Sequence, residues 1–450
     1  MAQSASHEQR SSRTGFILAA VGAAVGLGNI WKFPYLAGTS GGSAFVLVYL
    51  IAVVLIAIPI LMAELMIGRR GQQSPPNAML INAEKEGQSR AWMGVGLLGA
   101  LVGFLILSFY SVIGGWVLDY VFSSVTQGFT GTTAEQSQAR YNTLLTDPPR
   151  LLFWFTIFMG LTAFIVSAGL QKGIERVSKI LMPSLFSMLV ILVIYSAVAG
   201  DFGAGLRFLF EPDFSKLDVS IILAAIGQAF FSIGVSMGLM MAYGSYLPQT
   251  VSIPRTALII ASADTLVALM AGLVIFPLVF ANGLAPNSGP GLIFVTLPIA
   301  FGGITGGDIF GAVFFILLLF AAVTSSIAIM EPGVAWVEER WGISRRFSAF
   351  SVGVAAWIVG LTSAFSFNLW AEFKPIGGMT FFALTGYLTD NIMMPVGGML
   401  IAVFAGWFMS RETLLSELGM QDSEVFQVWR FLVRTLVPLA IAAILITNYL

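Results

Sequence analysis

The chain reads as an all-α polytopic membrane protein with eleven transmembrane helices, the first and sixth unwound at mid-membrane. Composition is the first reason. Of 450 residues 57% are hydrophobic and 10% charged, with a mean hydropathy of +0.89, against the roughly 25% charged residues of a soluble domain. The second is block length, since the apolar residues fall in runs of the roughly 20 residues that one crossing needs. The third is the asymmetry of basic residues between alternate loops, which sets orientation.

Taken in order, the spans lie at about 14–38, 42–68, 91–125, 151–168, 174–199, 221–246, 255–282, 309–337, 347–366, 380–408 and 428–448. They predict one transmembrane domain over 1–450. Within it, 1–13 is a cytoplasmic tail, 14–199 and 221–408 are two five-helix sets, and 428–448 is the eleventh helix. The longest polar connection, 126–150, reads as an irregular or partly helical loop. With the N-terminus inside, sixteen of the 22 lysines and arginines fall on the inner side. Lys32, Arg140, Arg150, Arg207, Lys216 and Lys374 fall outside. This predicts a cytoplasmic N-terminus and an extracellular C-terminus in a bacterial-type plasma membrane.

A formal charge of -1 and a pI of 5.9 argue against a nucleic-acid partner, and no run of basic residues marks a strong anionic-lipid site. The absence of cysteine excludes disulfides, thiolate metal sites and cysteine nucleophiles. The single histidine, His7, reads as a solvated residue of a tail that lacks a signal-peptide core. No catalytic constellation or metal spacing is visible, so the chain is not expected to be an enzyme.

The first span carries Gly22, Gly26, Gly28, Asn29, Lys32 and Pro34, and the sixth carries Ser232-Ile-Gly-Val-Ser-Met-Gly238. Backbone at membrane depth must be satisfied, so an unwound stretch survives only where it is buried or lines a cavity. There its free carbonyls and amides can hold a cation or a carboxylate. Gly22 and Gly26 alone would equally make a small-residue helix contact. A second broken helix five spans later favours binding.

The stretches AVGLGNIWKFPY, GGSAFVLVYLIAVVLIAIPILMAELMIGRR, GQAFFSIGVSMG and AAVTSSIAIMEP resemble the neurotransmitter:sodium symporter family. The resemblance implies the LeuT fold, a 5+5 inverted repeat, and sodium-coupled import of an amino acid by alternating access. It implies two sodium sites. The first matches the Ala24 carbonyl, Asn29, Ser232 and Asp264, completed by the substrate carboxylate. The second matches the carbonyls of Gly22, Val25 and Ala321 with the hydroxyls of Thr324 and Ser325. Read alone, Thr324, Ser325 and Ser326 are equally hydroxyl contacts between helices, whereas Asp264 in a span is costly to ionise unpaired and calls for a cation or a proton.

Chloride-dependent relatives carry Asn at the position of Asp264 and hold chloride near Tyr49, Gln228, Ser232 and Ala268. Asp264 is therefore expected to replace chloride as well as bind sodium. Monoamine carriers of the family have Asp at the position of Gly26, so here the substrate should bring its own carboxylate to the amides of Leu27 and Gly28 and the Tyr110 hydroxyl. The carried-over side-chain pocket is Ile106, Tyr110, Phe231, Gly234, Met237, Ser326 and Ile329. It is mostly apolar, with a deformable Met, and suits large hydrophobic amino acids such as Leu, Phe and Trp. Glu64 is expected to support the broken sixth helix, with a headgroup-level charge as the alternative. Lys32 and Asp390 match an outer gate, and Glu339 an inner gate with Arg10 as a candidate partner. Gly173 and Pro183 have a spacing that some members use to unwind the fifth helix, or else mark a static kink.

Overall fold

Crossing helices follow the apolar blocks closely. The computed structural model describes residues 13–289 and 291–447, so Arg10 and His7 lie outside the described residues. Nine helices among these are long and apolar enough to cross a membrane: Ser43–Gly71, Arg90–Thr126, Pro148–Ser167, Leu170–Ala199, Ile253–Ala281, Gly307–Trp341, Arg345–Phe365, Phe381–Phe408 and Glu424–Thr447. The bent pair Gly15–Ala24 and Gly28–Thr39, at 42°, forms the first crossing. The interrupted pair Val219–Ile233 and Leu239–Ser245 forms the sixth, completing the expected eleven.

Both interruptions have local causes. In the first span the α-helix ends at Ala24, and the chain resumes as a π turn, Gly28–Lys32, whose Asn29 and Ile30 amides both donate to the Gly26 carbonyl. In the sixth, Gly234, Ser236 and Gly238 have φ of 74°, 69° and 69°, which a helix cannot contain. Ser236 is the notable member, because a residue with a Cβ sits in this region only when its surroundings hold it there. Its amide donates to Glu64 Oε1 at 2.5 Å, and Glu64 is fully buried.

Between spans, the 126–150 connection contains the helix Ala134–Thr146, started by a reciprocal Thr133–Gln136 cap. A further helix, Pro75–Lys85, fills the connection after the second span. The second half of the sixth span, Leu239–Ser245, lies directly on the second span. A Cβ at Gly68 would meet the Met241 backbone and one at Gly244 the Leu65 backbone, so small residues set this close approach. The fifth span is helical throughout, starting with the π turn Leu170–Glu175 and continuing past Pro183.

Buried ion pairs join neighbouring spans. Arg150 grips Asp119 with two bonds of 2.7 and 2.9 Å, tying the third span to the fourth. Arg345 grips the fully buried Glu331, tying the ninth to the eighth. Tyr246, just after the broken sixth span, donates to the same Glu331 at 2.8 Å.

Candidate functional site

The two breaks meet around a small central cavity. Its wall contains Ala24, Gly26, Leu27 and Gly28 from the first span, Ile106 and Tyr110 from the third, Phe231, Ser232, Gly234 and Met237 from the sixth, and Ile329 from the eighth. Ala23, Leu239 and Ser325 also line it. Ser326 does not: its hydroxyl donates to the Val323 carbonyl at 3.0 Å and bonds Thr162 Oγ1 at 2.9 Å, facing the fourth span. Successive helical residues point about 100° apart, so Thr324 and Ser325 lie toward the first span while Ser326 turns away from it. The cavity has room for about 20 Å3 of water, about one molecule, and its walls must part to admit an amino acid.

One edge of the cavity is built on Asp264. Asn29 Nδ2 donates to its Oδ1 at 2.6 Å and to Ser232 Oγ at 2.9 Å. The Ser232 hydroxyl donates to Asp264 Oδ2 at 2.7 Å, and Tyr49 adds a longer bond of 3.3 Å. Asp264, Asn29 and Ser232 are thus converged from the seventh, first and sixth spans, all buried. The Asn29 side-chain oxygen, Oδ1, accepts from the Gly26 amide at 2.9 Å. A half-turn of the amide would exchange this donor for an oxygen facing Asp264, which is the orientation a hard cation needs. Gln228, one turn before Ser232 on the same helix, donates to the Gly28 carbonyl at 2.7 Å, and Ala268 is buried.

A second oxygen cluster joins the first span to the eighth. Ser325 Oγ donates to the Val25 carbonyl at 3.1 Å and reaches that of Ala23 at 3.5 Å. Thr324 Oγ1 donates to the Ala321 carbonyl at 3.1 Å and to that of Phe320 at 2.9 Å. Gly22 faces the same threonine: a Cβ there would lie 3.5 Å from Thr324 Cβ. Carbonyls and hydroxyls without a thiol or imidazole suit a hard cation. Nearby, the Leu27 amide donates to the Tyr110 hydroxyl at 3.2 Å, so two groups expected to receive a carboxylate converge on one point.

Above the cavity, Lys32 Nζ lies 2.5 Å from Asp390 Oδ2 and 3.8 Å from the centre of the Phe231 ring. Lys32 and Asp390 are thus paired, and the ammonium holds Phe231 beneath it. Below, Glu339 accepts from the Ser74 amide and Asn77 Nδ2, each at 2.8 Å, and from the Ser74 hydroxyl. These partners on the connection after the second span escaped sequence reasoning, as did the Tyr246–Glu331–Arg345 cluster. Glu331 stands in the quoted stretch AAVTSSIAIMEP, and an acid inside an apolar helix was the available signal.

The sequence profile described as "Sodium:neurotransmitter symporter family" matches residues 7–146 and 142–450. The chain is 38% identical to a Bacillus subtilis protein described as an uncharacterized sodium-dependent transporter, YhdH, over 96% of each chain. It is 33% identical to a sodium-dependent transporter of Haemophilus influenzae over 97% of each. Among solved structures, MhsT in complex with L-phenylalanine superposes with a TM-score of 0.91 at 42% identity, covering 98% of this chain and 99% of MhsT. The interrupted first and sixth helices and these likenesses agree: the chain has the LeuT fold and belongs to the sodium:neurotransmitter symporter family, whose members are sodium-dependent membrane transporters.

Proposed function

We propose that the chain imports large hydrophobic L-amino acids together with two sodium ions, by alternating access and without chloride. The observation that carries this reading is the convergence of Asp264, Asn29 and Ser232 beside an apolar cavity whose Gly26 offers no acid for an amine. A substrate bringing its own carboxylate complements that wall, and the complex of MhsT with L-phenylalanine supports the substrate class.

In this reading the first sodium takes the Ala24 carbonyl, Asn29, Ser232, Asp264 and the substrate carboxylate. That carboxylate also receives the amides of Leu27 and Gly28 and the Tyr110 hydroxyl, while carbonyls of the broken spans accept the ammonium. The second sodium takes the carbonyls of Gly22, Val25 and Ala321 with Thr324 and Ser325. Because the substrate completes the first ion shell, sodium and substrate raise each other's affinity by the same factor. Ile106, Phe231, Gly234, Met237 and Ile329 meet the side chain, and Met237 gives tolerance of size.

Asp264 also stands in for chloride. Its Oδ2 already receives the Tyr49 and Ser232 hydroxyls, donors that an anion would otherwise engage. Lys32–Asp390 closes the outer side, and Glu339 with Ser74 and Asn77 closes the inner. One transmembrane domain, built from 14–199, 221–408 and an eleventh helix, carries out the cycle with its N-terminus cytoplasmic. Local opening of the fifth helix between Gly173 and Pro183 admits water to the second ion on release.

Uptake of labelled leucine and tryptophan into proteoliposomes tests this, with external sodium, lithium, potassium or choline and with chloride or gluconate. The expected result is saturable accumulation with sodium that gluconate leaves unchanged. Collapse in gluconate overturns the role of Asp264, and sodium-independent uptake overturns the ion sites.

A further inference from the structure

Arg411, Arg430 and Arg434 come from two segments of the chain and meet around a cavity of about 340 Å3, where the tenth span ends and the eleventh begins. Two π turns, Phe404–Phe408 and Leu432–Leu436, pack together there. Gly406 permits it, since a Cβ at this position would strike the Arg434 backbone. The Trp407 indole N–H donates to the Arg434 carbonyl at 2.9 Å, and the Arg434 guanidinium lies 3.9 Å over the same indole ring. Arg434 is thereby held in place, with no acidic partner among the described residues. Arg430 lines the cavity one turn earlier, and its Nε is buried with no hydrogen-bond partner.

Among the described residues Asp422 is the acid paired with this group, and it engages Arg411. Two positive charges remain in surplus. Gln427 and Thr435 add polar atoms to the lining. The rim is apolar and faces outward: Trp407 is 57% and Phe431 59% exposed. Planar guanidiniums that carry no carboxylate suit a phosphate, and unpaired basic pockets between helices at a membrane surface attract anionic lipid headgroups. The exposed aromatic rim decides the source, because a phosphate reaching the arginines past Trp407 and Phe431 brings acyl chains that cover those rings.

We propose that this pocket holds the phosphodiester headgroup of an anionic phospholipid, with an acyl chain along the Trp407–Phe431 face. The site is invisible as a basic run in the sequence because Arg411 joins Arg430 and Arg434 only through the packing of the two π turns. It lies away from the transport cavity and concerns a different ligand from the amino acid and its ions.

Native mass spectrometry of the purified full chain, titrated with phosphatidylglycerol or phosphatidylcholine, tests the proposal. The wild type is expected to retain phosphatidylglycerol at roughly thirty-fold lower concentration than phosphatidylcholine, given about two surplus charges at about 1 kcal/mol each. Arg430→Gln, which breaks no pair, should bring the two lipids close to equal, whereas Arg346→Gln, at an exposed arginine elsewhere, should leave the preference intact. Arg434→Gln should act like Arg430→Gln. Should the lost stack on Trp407 prevent its folding, Arg430→Gln and the wild-type comparison still decide. Equal retention of both lipids by the wild type overturns the proposal, as does an unchanged preference in Arg430→Gln. Displacement of phosphatidylglycerol by glycerol 3-phosphate at similar concentration overturns the lipid assignment in favour of a free-anion site.

Discussion

If Asp264 stands in for chloride as proposed, replacing it by Asn should make transport respond to chloride. The substitution keeps the shape and removes one charge from a site where Asp264 is fully buried and bonded at 2.6 Å to Asn29 and at 2.7 Å to Ser232. A unit charge about 4 Å from a bound cation is worth about 4 kcal/mol at an effective dielectric constant of about 20. Part of that is offset by the desolvation the carboxylate itself requires, leaving about 2 kcal/mol as an order of magnitude, or roughly a thirty-fold rise in half-saturating sodium. Chloride held by the freed Tyr49 and Ser232 hydroxyls would restore much of it. The assay is leucine uptake into proteoliposomes as a function of sodium, in chloride and in gluconate, for the wild type and Asp264→Asn. If the variant matches the wild type in gluconate, or if chloride fails to improve it, the charge-replacement reasoning is wrong.

Gly26→Ala should raise half-saturating sodium about tenfold, because its Cβ would run into Ser325 Oγ and lie 3.1 Å from the Tyr110 hydroxyl, an overpacking cost of about 1–3 kcal/mol; a wild-type sodium titration would contradict this. Arg345→Met leaves the buried Glu331 without its guanidinium and should cost about 3–5 kcal/mol. Thermal unfolding measures it, and adding Glu331→Gln should recover part of the loss. Lys32→Gln breaks a latch whose two side chains are only 14% and 24% exposed. It should favour outer opening by about 1 kcal/mol, the upper range for such partly exposed pairs. With no native cysteines, labelling of Ile106→Cys from outside reads that shift, expected as about fivefold faster modification; an unchanged rate would remove Lys32 from the gate.

Much of the site follows from chemistry written along the chain. An acid in an apolar helix, glycines and an asparagine in a crossing segment, and a second glycine–serine break each contradict lipid solvation, so Asp264, Asn29 and Glu64 announce themselves before any contact is known. The span pattern is legible for the same reason, because bilayer thickness dictates the length of each apolar run. What the linear order does not contain is which face of a helix meets which neighbour. Ser325 reaches the first span whereas Ser326 turns to Thr162, a difference of one helical step decided by how the eighth span is rotated in the bundle. Glu339 finds Ser74 and Asn77, Asp119 finds Arg150, and Arg411 shares a pocket with Arg430 and Arg434 from the next helix. Solvent and hydrogen-bond economy act on each segment alone and can be read from it, while pairing between helices depends on their packing, which the tertiary structure alone decides.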